Sequence, residues 1–297
     1  ATSEVVVPPF PLTARSYIAV GAAFKAGDYR SFPNYASAAT AEHIELGHPW
    51  TSLLEHPSRW VSRSVLRGIG SARQRSPFRL PALMALTDVE ARLCSGGPLF
   101  ARRVTLLCIA FLLREIEAAA ARRSHWTFDN SRRELTWLLP ASKVDPEACG
   151  VSRTWGCLCG TPSFPCPYCL AQEHFTWHHG FITILGLDPL EAPLFPSLSG
   201  GVVLKSAMVS SFEQLATHCG QPLLSHEGLR LFGGRSARIT DVQDLAAVGI
   251  EVNKIRILAR HSGEQILRYV SDAPLRTLRQ DLGLVDGASS SSHQQPL

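Results

Sequence analysis

Separated segments of the chain carry side chains that could act together on a phosphate group. The segment LLREIEAA presents Arg114, Lys143 follows a predicted strand, and GGRSARITDVQ presents Arg238 at a predicted helix start. The segment ILARHSGEQILRYV carries His261 and Tyr269. Arginines can neutralise charge that builds on a phosphate, a lysine and a histidine can transfer protons, and a tyrosine can form a covalent ester. DNA strand transfer through a phosphotyrosine requires this set, and it requires no cofactor for catalysis. Taken singly, Arg114 is also compatible with an ion pair to Glu117, Lys143 with a solvated turn residue, and Tyr269 with a half-buried helix residue.

The order and context of these residues resemble the tyrosine recombinase (phage-integrase-like) family over most of the chain. LLREIE is similar to the segment around the family's first catalytic arginine, and Lys143 stands where a hairpin lysine is expected. Arg238 matches the arginine that ends the His-x-x-Arg box, and LRYV resembles the segment with the nucleophile. The resemblance implies DNA integration or site-specific recombination. Tyr269 would form a 3′-phosphotyrosyl intermediate, Arg114 and Arg238 would hold the phosphate, Lys143 would be the general acid, and His261 would assist.

Two segments, ASKVDPEACGV and ARHSGEQILRYVSDAPL, look most like recombinase-like proteins of eukaryotic mobile elements. The family resemblance implies double-stranded DNA as the partner and a homo-oligomer on DNA, namely a synaptic tetramer, with no membrane involvement. No secretory signal is visible, and the longest apolar run, VTLLCIAFLL, is too short to span a bilayer. The compartment is unknown. We expect an intracellular protein, nuclear if the source is eukaryotic.

The chain departs from the family pattern at two places. Arg235 stands where the box has histidine, and arginine stays charged at any workable pH, so it cannot accept a proton. His261 lies eight residues before Tyr269, whereas the family's histidine or tryptophan lies nine before, a position that holds Arg260. One residue rotates a helical side chain by about 100°. The alternative function is therefore a catalytically degenerate, DNA-binding remnant of a mobile-element recombinase.

A cysteine-rich segment follows the predicted strands and has the residue types of a structural zinc site. Its candidate ligands are Cys157, Cys159, Cys166 and Cys169, with Cys149, His174 and the pair His178–His179 nearby. Zinc here would pin the loop between the hairpin and the next helix, outside the chemistry. The segment is also compatible with a set of reduced loop cysteines. A zinc-stabilised helical interaction module unrelated to DNA is a third interpretation, and it leaves the order of the basic residues and Tyr269 unexplained.

The pattern of apolar residues predicts a mainly α protein with a small antiparallel β-sheet (α+β). Residues 8–75 form a predicted helical core-binding domain that the resemblance implies clamps DNA. Residues 76–274 form the tyrosine-recombinase-like catalytic domain, and residues 275–297 form a disordered polar tail. A helix is predicted from Phe100 to Ala121, and strands at residues 125–129 and 134–140. Helical patterns also cover residues 202–218, 239–249 and 252–270.

The net charge of +4 names no partner, but the placement of the arginines is informative. Only four of the 29 basic residues are lysines, and the segment from His56 to Leu80 contains six arginines and no acidic residue. Arginine binds phosphate in a two-pronged geometry. The segment therefore predicts DNA backbone contacts, with a solvated helix face and a connector as the alternative. The candidate DNA-binding residues are Arg59, Arg63, Arg67, Arg73 and Arg75, the first three spaced to share one helix face.

Overall fold

The computed structural model describes residues 8–69, 74–88, 94–139, 150–160, 164–260 and 265–271. The chain divides into two compact units, residues 1–73 and residues 74–297. Each unit is described by itself below. The predicted tail at residues 275–297 lies outside the described residues.

In the described part of the first unit the chain forms three helices, in agreement with the helical domain predicted there: α1 (Ala14–Ala26), α2 (Phe32–Glu45) and α3 (Ser52–Leu66). Tyr17, Phe32, Val61 and Val65 form their common core. Gly21 allows α1 to approach α3 closely, because an added Cβ there would lie 2.2 Å from Cγ1 of Val61. A small apolar core thus holds the helices together.

The arginine-rich face of α3 differs from the prediction in two respects. Arg67 is the residue at which α3 ends, and its extended backbone (ψ 126°) takes it off the helix. Arg59 pairs with Glu55 at 2.5 Å, one turn earlier, so the face does include an acidic partner that the segment starting at His56 omitted. Arg63 remains an exposed helical cation.

Arg73 lies outside the described residues, and Arg75 belongs to the second unit, where its guanidinium donates to the carbonyl of Arg230.

The second unit is built around the buried helix α5 (Ala101–Ala110), of which every residue except Arg102 is buried. Leu83, Trp137 and Phe212 pack in the same core. Among the described residues, no helix has both the length and the apolar character needed to cross a membrane. The helices of this unit are α4 (Leu80–Ala85), α5 (Ala101–Ala110), α6 (Glu115–Ala119), α7 (Pro167–Leu185), α8 (Lys205–His218), α9 (Ser236–Ala247), α10 (Val252–Leu258) and α11 (Gln265–Ser271).

The sheet of the second unit is antiparallel, and its strands pair in the order in which they follow along the chain. The strands are β1 (Trp126–Asp129), β2 (Glu134–Leu139) and β3 (Val151–Gly156). Leu135, Trp137 and Leu139 alternate along β2 and are buried, as the two-residue period requires. The sequence predicted β1 and β2 but not β3. The sequence of β3 lacks the apolar pattern of a buried strand, and none of its residues is fully buried. The strand is defined by its pairing with β2 along its whole length.

Two predicted helical segments are interrupted, and α7 was not predicted. The segment from Phe100 to Ala121 divides into α5 and α6, because Leu112 has a left-handed backbone (φ 50°). Arg114 therefore lies at the N-cap of α6 and not at the end of the buried helix. The segment at residues 252–270 divides into α10 and α11. These breaks matter because the functional side chains lie beside them.

Candidate functional site

Arg114 is held by a carboxylate from its own helix. As the N-cap of α6, it donates its backbone N–H to Oε2 of Glu117 at 2.7 Å. Its guanidinium also donates to Oε1 of Glu117, at 2.9 Å from Nη2 and 3.3 Å from Nε. Glu117 is a favourable residue at this position, because a carboxylate in the first turn satisfies free N–H groups and the helix dipole. The side chain of Arg114 is 22% exposed, so it can still be reached from solvent.

Arg238 contacts the same carboxylate from another helix. It lies in the first turn of α9, and its Nη2 donates to Oε2 of Glu117 at 2.8 Å. Its Nε donates to the carbonyl of Leu112 at 2.7 Å. In a continuous helix the carbonyl of Leu112 would accept a backbone N–H of the next turn. Because the backbone of Leu112 is left-handed, this carbonyl accepts from Arg238 instead. The two arginines predicted to hold a phosphate thus meet on one carboxylate.

A third arginine, Arg260, reaches the carboxylate from a third element. It follows α10 with a left-handed backbone (φ 53°), and its Nη2 lies 3.0 Å from Oε2 of Glu117. Sequence reasoning did not count Arg260 as a site residue, although it occupies the position nine residues before Tyr269. That spacing was the available signal. We call Arg114, Arg238 and Arg260 the arginine cluster.

The electrostatics of the arginine cluster favour anions. Burial alone would raise the pKa of Glu117, but the charges of Arg238 and Arg260 and the hydrogen bonds from Arg114 together hold that pKa below its ordinary value. Burial lowers the pKa of Arg238 to about 10, and it lowers the pKa of Arg260 as well. Glu117 is therefore ionised at neutral pH, and arginine keeps its charge at any workable pH. Three cations share one anion, which leaves an excess of positive charge in a largely water-excluded place.

Tyr269 lies next to this cluster. It is on α11, 6% exposed, and packs with Ile239, Val242 and Ile266 in a small apolar cluster beneath α9. It is close enough to Arg238 to interact with the guanidinium electrostatically. The structure therefore brings together Arg114, Arg238 and Tyr269 of the predicted set. Lys143, on the connection between β2 and β3, and His261 lie outside the described residues.

Arg235 is the exposed N-cap of α9, one turn before Arg238. The preceding residue, Gly234, accepts the backbone N–H of Glu115 at 3.1 Å. A Cβ at Gly234 would lie 1.8 Å from Cδ of Glu115, so only glycine allows this approach. The start of α9 is thereby fixed against the start of α6, which places Arg235 at the solvent side of the region that holds Arg114.

Arg153 links the sheet to the arginine cluster and was also missed from the sequence. It lies on β3, and its Nη2 donates to the carbonyl of Ile257 on α10 at 2.9 Å. Its positive charge contributes to the lowered pKa of Arg260. This contact holds β3 beside α10, the helix that Arg260 follows.

The cysteine segment forms a separate cluster. Cys157 and Cys159 follow β3, Cys166 is the N-cap of α7, and Cys169 lies in its first turn. Their four Sγ atoms all lie within 4.8 Å of one another. Cys149 lies outside the described residues.

The nearby histidines on α7 do not join the cysteines. Nε2 of His174 is 2.7 Å from the carbonyl of Leu194, and Nε2 of His178 is 2.7 Å from the carbonyl of Pro193. Burial lowers the pKa of His174 to about 3, so this side chain is neutral. Both histidines secure the loop at residues 193–194 to α7.

No protein-family model and no curated protein sequence matches the chain. Solved structures do match. The chain is similar to a lambda integrase dimer bound to a COC′ core site, with 15% identity and a TM-score of 0.57 over 90% of this chain and 83% of that one. It is also similar to the Tn1549 transposon integrase in complex with circular intermediate DNA, with 16% identity and a TM-score of 0.55 over 93% and 86% of the two chains. The predicted fold class is confirmed: the second unit has the mainly helical fold, with a small antiparallel sheet, of tyrosine recombinase catalytic domains.

Proposed function

We propose that the chain cleaves and rejoins duplex DNA in site-specific recombination or integration, through a 3′-phosphotyrosyl intermediate on Tyr269. The observation that carries the proposal is the convergence of three arginines on the single carboxylate of Glu117, beside a buried tyrosine. A phosphodiester presents the same kind of paired oxygens that arginine binds bidentately. The similar DNA-bound integrases add support, because they share the fold.

The residues divide the chemistry as follows. Arg114, Arg238 and Arg260 stabilise the charge on the non-bridging oxygens as phosphorus becomes five-coordinate. The Oη atom of Tyr269 bonds to phosphorus while its proton passes to His261, and the bond from phosphorus to O5′ breaks. Lys143 gives a proton to the departing oxygen. In the second step a 5′-hydroxyl attacks the phosphotyrosine, the DNA bond is restored, and Tyr269 is released. The arginines supply the positive charge that a metal ion supplies in other phosphoryl transfers.

The proposed partner of the first unit is the DNA backbone. Exposed Arg63 on α3 and Arg67 just beyond it lie in a segment without acidic residues. Changing Arg63 to alanine should weaken duplex binding uniformly across sequences and lower the slope of log affinity against log salt by about 1, because one phosphate contact is lost. Fluorescence anisotropy at several salt concentrations measures this slope.

The control for the salt slope is Arg63→Lys, which keeps the charge and should keep the slope. An Arg63→Ala slope equal to that of the unchanged protein would place DNA elsewhere.

A homo-oligomer on DNA is also proposed, since the similar lambda integrase is a dimer on its core site. A synaptic tetramer and an origin in a eukaryotic mobile element belong to the same proposal.

The direct test of cleavage uses duplex DNA with a nick close to the scissile phosphate, so that the short released strand diffuses away and the intermediate accumulates. A library of such duplexes with a randomised centre removes the need to know the target. The proposal predicts a complex of protein and DNA that survives denaturing detergent. Protein that binds the library and yields no such complex would contradict the proposal.

A second candidate function is DNA binding without cleavage, and two observations favour it. Arg235 occupies the position of the family's histidine, and Tyr269 is 6% exposed in this structure. This function predicts salt-sensitive duplex binding and no covalent complex from the unchanged chain. An Arg235→His variant that traps DNA, where the unchanged chain does not, would establish it. Under our proposal the unchanged chain traps DNA, and Arg235→His retains that ability.

A further inference from the structure

Four cysteine side chains in the second unit meet at a place that the DNA chemistry does not use. The Sγ atoms of Cys157, Cys159, Cys166 and Cys169 come from two chain segments, the end of β3 and the start of α7. Individual pairs lie 3.9 Å apart (Cys157 and Cys169), 3.7 Å apart (Cys157 and Cys166) and 3.2 Å apart (Cys159 and Cys169). All four are unpaired thiols rather than disulfides.

The spacing of these sulfur atoms matches a tetrahedral metal site. With zinc–sulfur bonds of about 2.3 Å, the sulfurs at the corners of a tetrahedron lie about 3.8 Å apart. Thiols are weak donors and acceptors toward one another, so mutual attraction gives little reason for four of them to gather. A disulfide requires an S–S bond of about 2.05 Å, whereas these sulfur atoms lie 3.2–3.9 Å apart in the pairs given above.

The surroundings fit a negatively charged metal–thiolate group. The backbone N–H of Leu158 donates to Sγ of Cys166 at 3.1 Å, the kind of outer contact that orients a thiolate ligand. The guanidinium of Arg133, from the turn between β1 and β2, lies 3.8 Å from Sγ of Cys169. Four thiolates around one divalent ion carry two net negative charges, which Arg133 partly offsets.

We propose that these four cysteines bind one structural Zn²⁺ ion. Four sulfur ligands leave no open position for a substrate, which marks the site as structural. The ion would fasten the end of β3 to the first turn of α7. β3 pairs only with β2 among the described strands, and none of its residues is fully buried, although Trp155 packs against the core. Zinc thereby secures the strand that carries Arg153. This inference does not depend on DNA cleavage.

Metal analysis of the full chain, purified without added zinc, tests the proposal. We expect about one zinc per chain. Less than half an equivalent, or iron in place of zinc, would overturn the assignment. The double variant Cys157→Ser/Cys169→Ser should lose the metal, and Cys94→Ser, which removes a partly exposed thiol outside the cluster, should keep it. Retention of zinc by the double variant would also overturn the assignment.

A second measurement applies if the double variant does not fold. Cobalt(II) is exchanged into the unchanged chain, and the absorption bands of thiolate-to-cobalt charge transfer are recorded. Bands with the intensity expected for four thiolates support the site, and their absence contradicts it. Hydrogen exchange adds a local readout. Chelation should accelerate exchange of the β3 and early α7 amides more than those of α5, and an unchanged pattern would argue against a structural role.

Discussion

Replacement of Tyr269 by phenylalanine should abolish the covalent protein–DNA complex, because phenylalanine lacks the oxygen that attacks phosphorus. The effect on folding should be small. The ring of Tyr269 packs among Ile239, Val242 and Ile266, and phenylalanine keeps that packing. Loss of the hydroxyl, and with it the electrostatic interaction with Arg238, should cost about 1 kcal/mol of unfolding free energy. Trapping on nicked duplex DNA, resolved on a denaturing gel, measures the first effect, and chemical denaturation measures the second.

Tyr168 provides the matched control. It is also buried in the second unit, at 5% exposure, and its hydroxyl donates to Asn130 Oδ1 at 3.0 Å, away from the arginine cluster. Tyr168→Phe should trap DNA as the unchanged chain does. If Tyr269→Phe still forms the covalent complex, or if Tyr168→Phe loses it while Tyr269→Phe does not, the nucleophile is another residue.

Changing Glu117 to glutamine should destabilise the second unit by about 3–5 kcal/mol, the range found when one partner of a buried ion pair is removed. The neutral amide keeps the shape of the side chain but leaves three guanidinium groups facing one another. Arg238 and Arg260 are 7% and 6% exposed, so water screens this repulsion poorly. Urea denaturation gives the loss of stability.

Inorganic phosphate should restore part of that loss, because it binds the folded arginine cluster in place of the carboxylate. The gain should exceed the gain that phosphate gives the unchanged chain. Glu191→Gln is the control, since Glu191 forms an exposed pair with Arg122 and should change stability by about 1 kcal/mol or less. A Glu117→Gln variant that is as stable as the unchanged chain and indifferent to phosphate would contradict the anion site.

The pH dependence of stability gives the same carboxylate a second readout. Arg238 and Arg260 hold the pKa of Glu117 below its value in the unfolded chain. Its contribution to stability is therefore complete above the unfolded pKa and is lost as the pH falls through the depressed one. Denaturation at a series of acid pH values should show this loss in the unchanged chain and a smaller one in Glu117→Gln.

The candidate site was partly predictable from sequence because its residues follow a fixed order along the chain. Arg114, Arg238 and Tyr269 were selected in this way, and the structure places them close together. Arg260 was not predicted as a site residue, because its approach to Glu117 depends on a left-handed turn after α10 that no residue pattern predicts. Arg153 was missed for a similar reason, since its role arises from the pairing of β3 with β2.

The fold, like the site, was predictable from the sequence only in part. α5 was predictable because its apolar residues are continuous, but the break at Leu112 was not, since its carbonyl bond to Arg238 joins residues 126 positions apart. The helix α7 was not predicted, although Pro167 near its start and Gly186 at its end are residues typical of helix boundaries. The positive charge of the α3 face was overestimated, because Glu55, which lies just before the acid-free segment, pairs with Arg59.

The proposed reaction is tested most sharply by identifying the bond between protein and DNA. The unchanged chain is incubated with the nicked library, the complex that survives detergent is trimmed with nuclease, and the attached peptide is mapped by mass spectrometry. Our account predicts a 3′-phosphate ester on Tyr269 and a free 5′-hydroxyl on the released strand. An ester on another residue, a link to a 5′-phosphate, or DNA-bound protein that carries no adduct would contradict it.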